Sequence, residues 1–149
     1  MSSHCQITVH IIFGLRRRQK FINSEIRSYI GGIINQRGGQ TIAINGTSDH
    51  VHILCNMPKD KSIADFVRSI KSFSSRWYNS RGFGKMQWQI GYAAFSVSKT
   101  NIDKVKEYIL HQEEHHRKMT FEDEMIKYLD DPVAIAVWKK WVFGKQDND

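Results

Sequence analysis

Apolar and polar residues alternate along several short stretches of the chain. From Cys5 to Phe13 every second residue is apolar, and most residues between them are polar. A period of two residues is typical of a strand that has one face against a core. Similar stretches at 40–45, 50–56 and 88–98 predict three more strands, and Gly91 is expected to kink the last of them.

Apolar residues recur at helical spacing in the intervening stretches. Isoleucines do so between Asn23 and Gln36, where Gly38-Gly39 ends the pattern. Ser62 opens a second helix as part of a capping-box variant, and the apolar side of this helix continues to Trp77. Three shorter helices are expected after the last strand: from Thr100 to about Arg117, from Thr120 to about Leu129, and from Pro132 to about Trp141.

The resulting order of elements is βαββαβ followed by helices. One antiparallel sheet with helices on one face satisfies this order, which is the ferredoxin-like plan of the α+β class. A length of 149 residues suits a single domain with a substantial core, and neither a repeat nor a linker divides the chain.

The amino-acid composition limits which classes of binding partner and which cellular compartment are expected. Lysine and arginine number 22 against 15 acidic residues, and the formal charge of +7 favours a polyanionic partner, although many basic proteins bind none. No apolar run is long enough to span a bilayer, and the N-terminus does not resemble a signal peptide. Cys5 and Cys55 lie within apolar alternations and are interpreted as reduced core thiols, so we expect a cytoplasmic protein.

A histidine pair lies on the third predicted strand. Alternation there assigns Val51 and Ile53 to the core, so His50 and His52 should project together from the opposite, uncovered face of the sheet. A lone His-x-His is more often an exposed polar pair than a ligand pair. Two neutral imidazoles at alternate strand positions can nevertheless converge on one divalent cation.

Tyr108 and Gln112 are four residues apart on a predicted helix, which places them side by side. Each alone is more commonly a packing or surface residue. Together with His50 and His52 they would provide an amide oxygen for the cation and a phenol able to attack a phosphodiester. Lys104, one turn earlier, would either favour the phenolate or be a solvated surface lysine, and no general base is evident.

Two other interpretations compete with this one. His111, Glu114 and His115 match the H-x-x-E-H pattern of inverted zinc peptidases, but this leaves His50 and His52 unexplained and offers no clear third ligand. A non-catalytic module that binds single strands is the second alternative. For either nucleic-acid interpretation the candidate phosphate contacts are Arg16, Arg17, Arg18, Lys20, Arg68, Lys71, Arg76 and Lys104.

Several segments taken together resemble the single-tyrosine HUH transposases of the TnpA insertion-sequence type. This is the IS200-like family, which includes REP-associated tyrosine transposases. The resemblance rests on the first strand with the basic residues that follow it, and on the segments 48–54, 63–77, 91–98 and 108–116. His-x-His alone would be a weak signal, whereas the ensemble is specific. Ala93 replaces a glycine that is common in the family's fourth-strand motif.

The resemblance implies a DNA strand-transferase that cleaves and rejoins single-stranded DNA at hairpin ends through a covalent 5′-phosphotyrosine. Tyr108 would be the nucleophile, and His50, His52 and Gln112 would hold Mg²⁺ or Mn²⁺. It further implies a bacterial homodimer in which the tyrosine helix of one subunit can complete the other's site. Residues 1–118 would form the catalytic domain and 119–149 a helical extension of it. A domesticated relative that processes repeat hairpins without mobilising itself is the nearest alternative.

Overall fold

A computed structural model describes residues 3–112 and 119–139. Two short 3₁₀ turns, Arg16–Arg18 and Lys99–Asn101, interrupt the regular elements. The strands are β1 Thr8–Gly14, β2 Gln40–Gly46, β3 His50–Asn56 and β4 Ala93–Ser96. The helices within this part are α1 Ser24–Gln36, α2 Ile63–Ser80, α3 Ile102–Leu110, α4 Phe121–Leu129 and α5 Pro132–Lys139.

The four strands form one sheet in the order β2-β3-β1-β4, and all neighbours are antiparallel. This is the strand order of a βαββαβ ferredoxin-like unit, so the predicted fold class is confirmed. In the central pair Ile12 lies opposite His52, and Gly14 lies opposite His50. The register therefore places both histidines beside the C-terminal half of β1.

The first face of the sheet packs against α1 and α2. Ile11 and Phe13 of β1 and Val51 and Ile53 of β3 point to this side, as their alternation predicts, and join a large buried cluster. Both helices begin where the sequence indicates. The side chain of Asn23 accepts a hydrogen bond from the backbone of Ile26, and that of Ser62 accepts one from Asp65.

The second face is covered as well, which corrects the expectation of helices on one face only. Leu54 packs with Ile109 of α3, and Ile12 packs with Met125 of α4 and Trp138 of α5. All seven residues of β1 are consequently buried. The expectation that His50 and His52 project from an uncovered face is wrong in that respect: they point to this second face, but α3 and α4 cover it.

Three boundaries differ from those predicted. β4 spans only Ala93–Ser96, because Gly91 adopts a left-handed conformation with φ of 90° just before it. α3 has no side-chain cap from Thr100 and ends at Leu110, while the predicted continuation over 113–118 lies outside the described residues. α4 begins at the expected Thr120 cap, and the predicted end of the last helix near Trp141 also lies outside the described range.

The two cysteines differ in burial. Cys55 is buried as expected, whereas Cys5 is exposed and does not belong to the core. Both cysteines are free thiols. Among the described residues, no helix has both the length and the apolar character needed to cross a bilayer.

Candidate metal centre and nucleophile

The His50 and His52 side chains lie on the second face of β3 and are fully buried. Nε2 of His52 lies 2.7 Å from Oε1 of Glu124, and Nε2 of His50 lies 3.5 Å from the same oxygen. Glu124 comes from α4 and is itself fully buried. Two imidazoles and a carboxylate therefore converge, and their candidate ligand atoms all lie within 4.8 Å of one another.

The other oxygen of this carboxylate contacts the predicted nucleophile. The Tyr108 hydroxyl donates a 2.6 Å hydrogen bond to Oε2 of Glu124. The Tyr108 ring also lies edge-on to His52, with ring centroids 6.0 Å apart. A phenol from α3, two imidazoles from β3 and a carboxylate from α4 thus form one cluster.

Hydrogen bonds fix the outer nitrogen of each imidazole. Nδ1 of His50 lies 2.7 Å from Asp49 Oδ1 and 2.9 Å from Thr47 Oγ1. Burial would lower the pKa of His50, but its hydrogen bonds and charge interactions with Asp49 and Glu124 outweigh burial and raise that pKa. These contacts leave Nε2 of His50 directed toward the Glu124 carboxylate.

His10 performs the corresponding role for His52. Nε2 of His10 lies 2.8 Å from Nδ1 of His52, and His10 is buried between the rings of Phe95 and Tyr128. Burial, and secondarily the charge of His52, lower the pKa of His10 to about 3, although Glu124 opposes the shift. A neutral His10 can accept the Nδ1–H of His52, which frees Nε2 of His52 to bind a metal.

Tyr108 lies in the last turn of α3 and is half-buried. Burial, followed by the hydrogen bond and charge of Glu124, raises the pKa of Tyr108 well above its usual value, while the Gln112 amide opposes this. Lys104 is exposed on the same helix. The phenol is therefore protonated at neutral pH in this arrangement.

Gln112 lies two residues beyond the end of α3, where the backbone is again helical after a turn at His111, and its amide acts on the Tyr108 hydroxyl as the spacing predicts. Its side chain is fully buried, and neither amide atom reaches full hydrogen-bonding geometry with any described residue. A buried amide without such a bond is costly, and a cation would satisfy its oxygen. Two imidazoles, a carboxylate and an amide oxygen are a donor set that fits a divalent cation.

A basic groove lies on another side of the molecule, between α2 and residues 85–89. It has a volume of about 490 Å³, and Arg16, Arg68, Lys71 and Lys85 line it. The Lys71 ammonium donates hydrogen bonds to the backbone carbonyls of Gln89 (2.8 Å) and Gly91, so it holds the chain before β4.

The remaining predicted phosphate contacts are dispersed. Arg17 and Lys20 are exposed, and Arg76 lies over the ring of Phe73. The side chain of Arg18 lies outside the described part of the structure. For the competing peptidase pattern, His111 is exposed at the end of α3, whereas Glu114 and His115 lie outside the described residues.

The sequence did not single out His10 or Glu124. His10 was assigned to the polar side of a half-buried strand. A signal for Glu124 exists in α4, because it falls at helical spacing between Phe121 and Tyr128 and beside Met125, on the apolar side of the helix. An acidic residue among apolar ones on a buried side is unusual unless it is paired.

Comparison with known proteins identifies the family. Residues 3–112 match the family model described as "Transposase IS200 like". The chain belongs to the IS200-like transposase family. It is accordingly a transposase, an enzyme of DNA transposition. Glu124 and the rest of α4 and α5 lie beyond the matched residues.

Individual relatives agree with this assignment. Transposases for the insertion sequence element IS200 from Salmonella typhimurium and Salmonella typhi are each 27% identical over an alignment of 120 residues, and the match covers 72% of this chain and 78% of theirs. A solved candidate transposase from Deinococcus radiodurans R1 is 23% identical with a TM-score of 0.57, and the match covers 75% of this chain and 95% of that one. A REP-associated tyrosine transposase bound to a REP hairpin is 19% identical with a TM-score of 0.59, covering 78% and 74%. The two structures share this fold.

Proposed function

We propose that this transposase cleaves and rejoins single-stranded DNA through a covalent bond between Tyr108 and a 5′ phosphate. The observation that carries the proposal is the convergence of the Tyr108 hydroxyl with His50 and His52 on one buried carboxylate. This arrangement supports Tyr108 as a nucleophile beside a donor set suited to a cation, a combination that can cleave a phosphodiester.

The cleavage step conserves atoms and charge. The Tyr108 oxygen forms a bond to phosphorus, and the bond between phosphorus and the 3′ oxygen breaks. The phenol gives up its proton, for which Oε2 of Glu124 is the hydrogen-bond acceptor, and the departing 3′ oxygen gains one. Attack by a 3′ hydroxyl on the phosphotyrosine reverses these events, so strands are rejoined without ATP.

His50, His52 and Gln112 are the residues proposed to hold the divalent cation, Mg²⁺ or Mn²⁺. When bound, such a cation polarises the scissile phosphate and offsets charge in the transition state. The support lies in the two convergent Nε2 atoms and in the buried Gln112 amide, which lacks a hydrogen bond within the described residues. Asp49 and His10 orient the two imidazoles.

The proposed substrate is single-stranded DNA with hairpin ends. The REP-associated relative was solved with a REP hairpin, and the net charge of +7 suits a nucleic acid. Arg16 and Arg68 line the basic groove and are its candidate phosphate contacts, although Arg68 also pairs with Asp65 at 2.7 Å. The weaker candidate phosphate contacts are Arg17, Arg18, Lys20, Arg76 and Lys104.

We also propose a homodimer with composite active sites. We further propose that residues 1–118 form the catalytic domain and that residues 119–149 form its helical extension.

A covalent adduct assay tests the proposal. Full-length protein is incubated with labelled single-stranded element ends and Mn²⁺, and DNA-linked protein is detected on a denaturing gel. Tyr108→Phe should abolish the adduct and leave DNA affinity within about twofold. The matched control is Tyr128→Phe, because Tyr128 lies with its ring 5.6 Å from that of Tyr108. An adduct that survives in Tyr108→Phe would show that another residue is the nucleophile, and the absence of an adduct with wild-type protein would favour the binding-module alternative.

A further inference from the structure

Glu124 lies outside the residues that match the family model, yet it lies at the centre of the site. We propose that Glu124 is an additional metal ligand, supplied by the C-terminal helix α4, and that the same carboxylate ties the cation to the Tyr108 hydroxyl. The inference rests on the proposed function, since it concerns the same cation. It assigns a chemical role to a segment beyond the matched domain.

The spacing of the donor atoms supports the assignment. Mg²⁺ and similar cations bind nitrogen and oxygen ligands at about 2.0–2.2 Å. Adjacent ligands at right angles are then separated by about 3 Å. The distances from Oε1 of Glu124 to Nε2 of His52 and to Nε2 of His50 are 2.7 and 3.5 Å, which bracket that separation.

The orientation of the imidazoles also supports Glu124 as a metal ligand. The Nδ1 atoms of His50 and His52 are engaged by Asp49 and His10 respectively, on the outer side of the cluster. Both Nε2 atoms therefore face one oxygen of Glu124. Imidazoles whose outer nitrogens are held by hydrogen bonds while their inner nitrogens converge are typical of metal centres.

Burial supplies a further reason. Glu124 is fully buried and lies close to Tyr128, and the ring of Phe121, three residues earlier on α4, packs at a tilt against that of His50. In this structure the imidazoles of His50 and His52 and the Tyr108 hydroxyl contact the carboxylate. A divalent cation held by Oε1 and the two imidazoles would compensate its charge more fully, while Oε2 keeps the Tyr108 hydrogen bond.

The direct test is the affinity of the full-length protein for Mn²⁺ alone, measured by calorimetry or by the electron paramagnetic resonance signal of free Mn²⁺. Glu124→Gln should weaken binding at least tenfold, and Glu124→Asp, which keeps the carboxylate, should weaken it less. The matched control is Glu122→Gln on the same helix, where the Glu122 side chain is partly exposed and pairs with Lys139. Circular dichroism without metal confirms that each variant is folded.

Two results would overturn the inference. Equal Mn²⁺ affinity in Glu124→Gln and wild type would show that the carboxylate is not a ligand, and tighter binding in the variant would show that it blocks the site. The adduct assay distinguishes failure of the ligand role of Glu124 from failure of the proposed function. A Tyr108-dependent adduct together with unchanged affinity in Glu124→Gln refutes only the ligand role. Weakened affinity in Glu124→Gln with no wild-type adduct refutes only the proposed covalent chemistry of Tyr108.

Discussion

Tyr108 and Glu124 are sixteen residues apart and are joined by a hydrogen bond of 2.6 Å between the phenolic hydroxyl and Oε2. This bond links α3, which belongs to the family-matched domain, to α4, which lies beyond it. Since Oε1 of the same carboxylate contacts His52, the position of the nucleophile depends on the helix that follows the matched domain.

His10 should control the affinity for the metal although it is not a proposed ligand. Replacing it by Phe keeps a ring against Phe95 and Tyr128 but removes the hydrogen bond to Nδ1 of His52. We expect Mn²⁺ affinity, measured by calorimetry, to fall about 10–100-fold, as is typical when a partner that orients a ligand is lost.

A conservative variant separates this orienting role from simple packing. His10→Gln retains a group able to hydrogen-bond and should show an intermediate loss of Mn²⁺ affinity. His111→Ala, which removes an exposed histidine at the end of α3, should show none. Loss of thermal stability in the metal-free His10→Phe protein with unaltered Mn²⁺ affinity would show that the residue only packs.

The basic groove should account for part of the salt dependence of DNA binding. Arg16→Ala and Arg68→Ala each remove a cation from the groove wall. For a single-stranded oligonucleotide, each should reduce the slope of log K against log salt by about 0.7. Arg81→Ala is the control, because Arg81 pairs with Glu25 away from the groove. An equal change in slope for Arg81→Ala would contradict a specific groove.

Lys71 should act on stability more than on DNA. Its ammonium bonds two backbone carbonyls, so Lys71→Met should destabilise the protein by about 1–3 kcal/mol at neutral pH, measured by urea unfolding. Burial lowers the pKa of Lys71 to about 8, against 10.5 ordinarily. The folded state thus disfavours the charged amine; this penalty is complete below pH 8 and vanishes above 10.5. The free energy of unfolding of wild type should therefore rise relative to that of Lys71→Met between pH 8 and 10.5. A difference that stays constant with pH would refute the lowered pKa of Lys71.

The packing of α4 on the sheet should be measurable in the free energy of unfolding. Met125 is fully buried against Ile12, Ala93 and Trp138. Met125→Ala should cost about 2–4 kcal/mol, because the cavity adds to the lost apolar contacts. Val133→Ala on α5 is the control: Val133 is 71% exposed, and its loss should change stability by under about 0.5 kcal/mol. Equal effects of the two substitutions would mean that α4 is not packed as described.

Periodicity was sufficient to predict most of the fold because the first core obeys it. The bounds of β3 coincide with those predicted, and its alternation assigned His50 and His52 to the face opposite Val51 and Ile53. Ser62 and Thr120 cap helices as their sequence patterns indicated, although Thr100 does not. These features depend on neighbours within a few residues, so a local pattern can reveal them.

The remaining parts of the site depend on contacts between distant segments. The amphipathic pattern of α4 shows that it needs an apolar surface but not that this surface is the second face of the sheet. His10 and Glu124 therefore looked like ordinary polar residues, although Glu124 meets His52 across 72 positions of the chain. No local periodicity specifies which of several surfaces a helix will cover.

The histidines of β3 and the phenol of α3 are proposed to belong to one metal centre, and crystals of the protein grown with Mn²⁺ and measured at the manganese absorption edge decide this. An anomalous peak is expected about 2.0–2.3 Å from Nε2 of His50 and of His52, with the Tyr108 hydroxyl beside it. A peak at another location, or Mn²⁺ bound to the histidines with Tyr108 turned away in every subunit arrangement, would show that they do not.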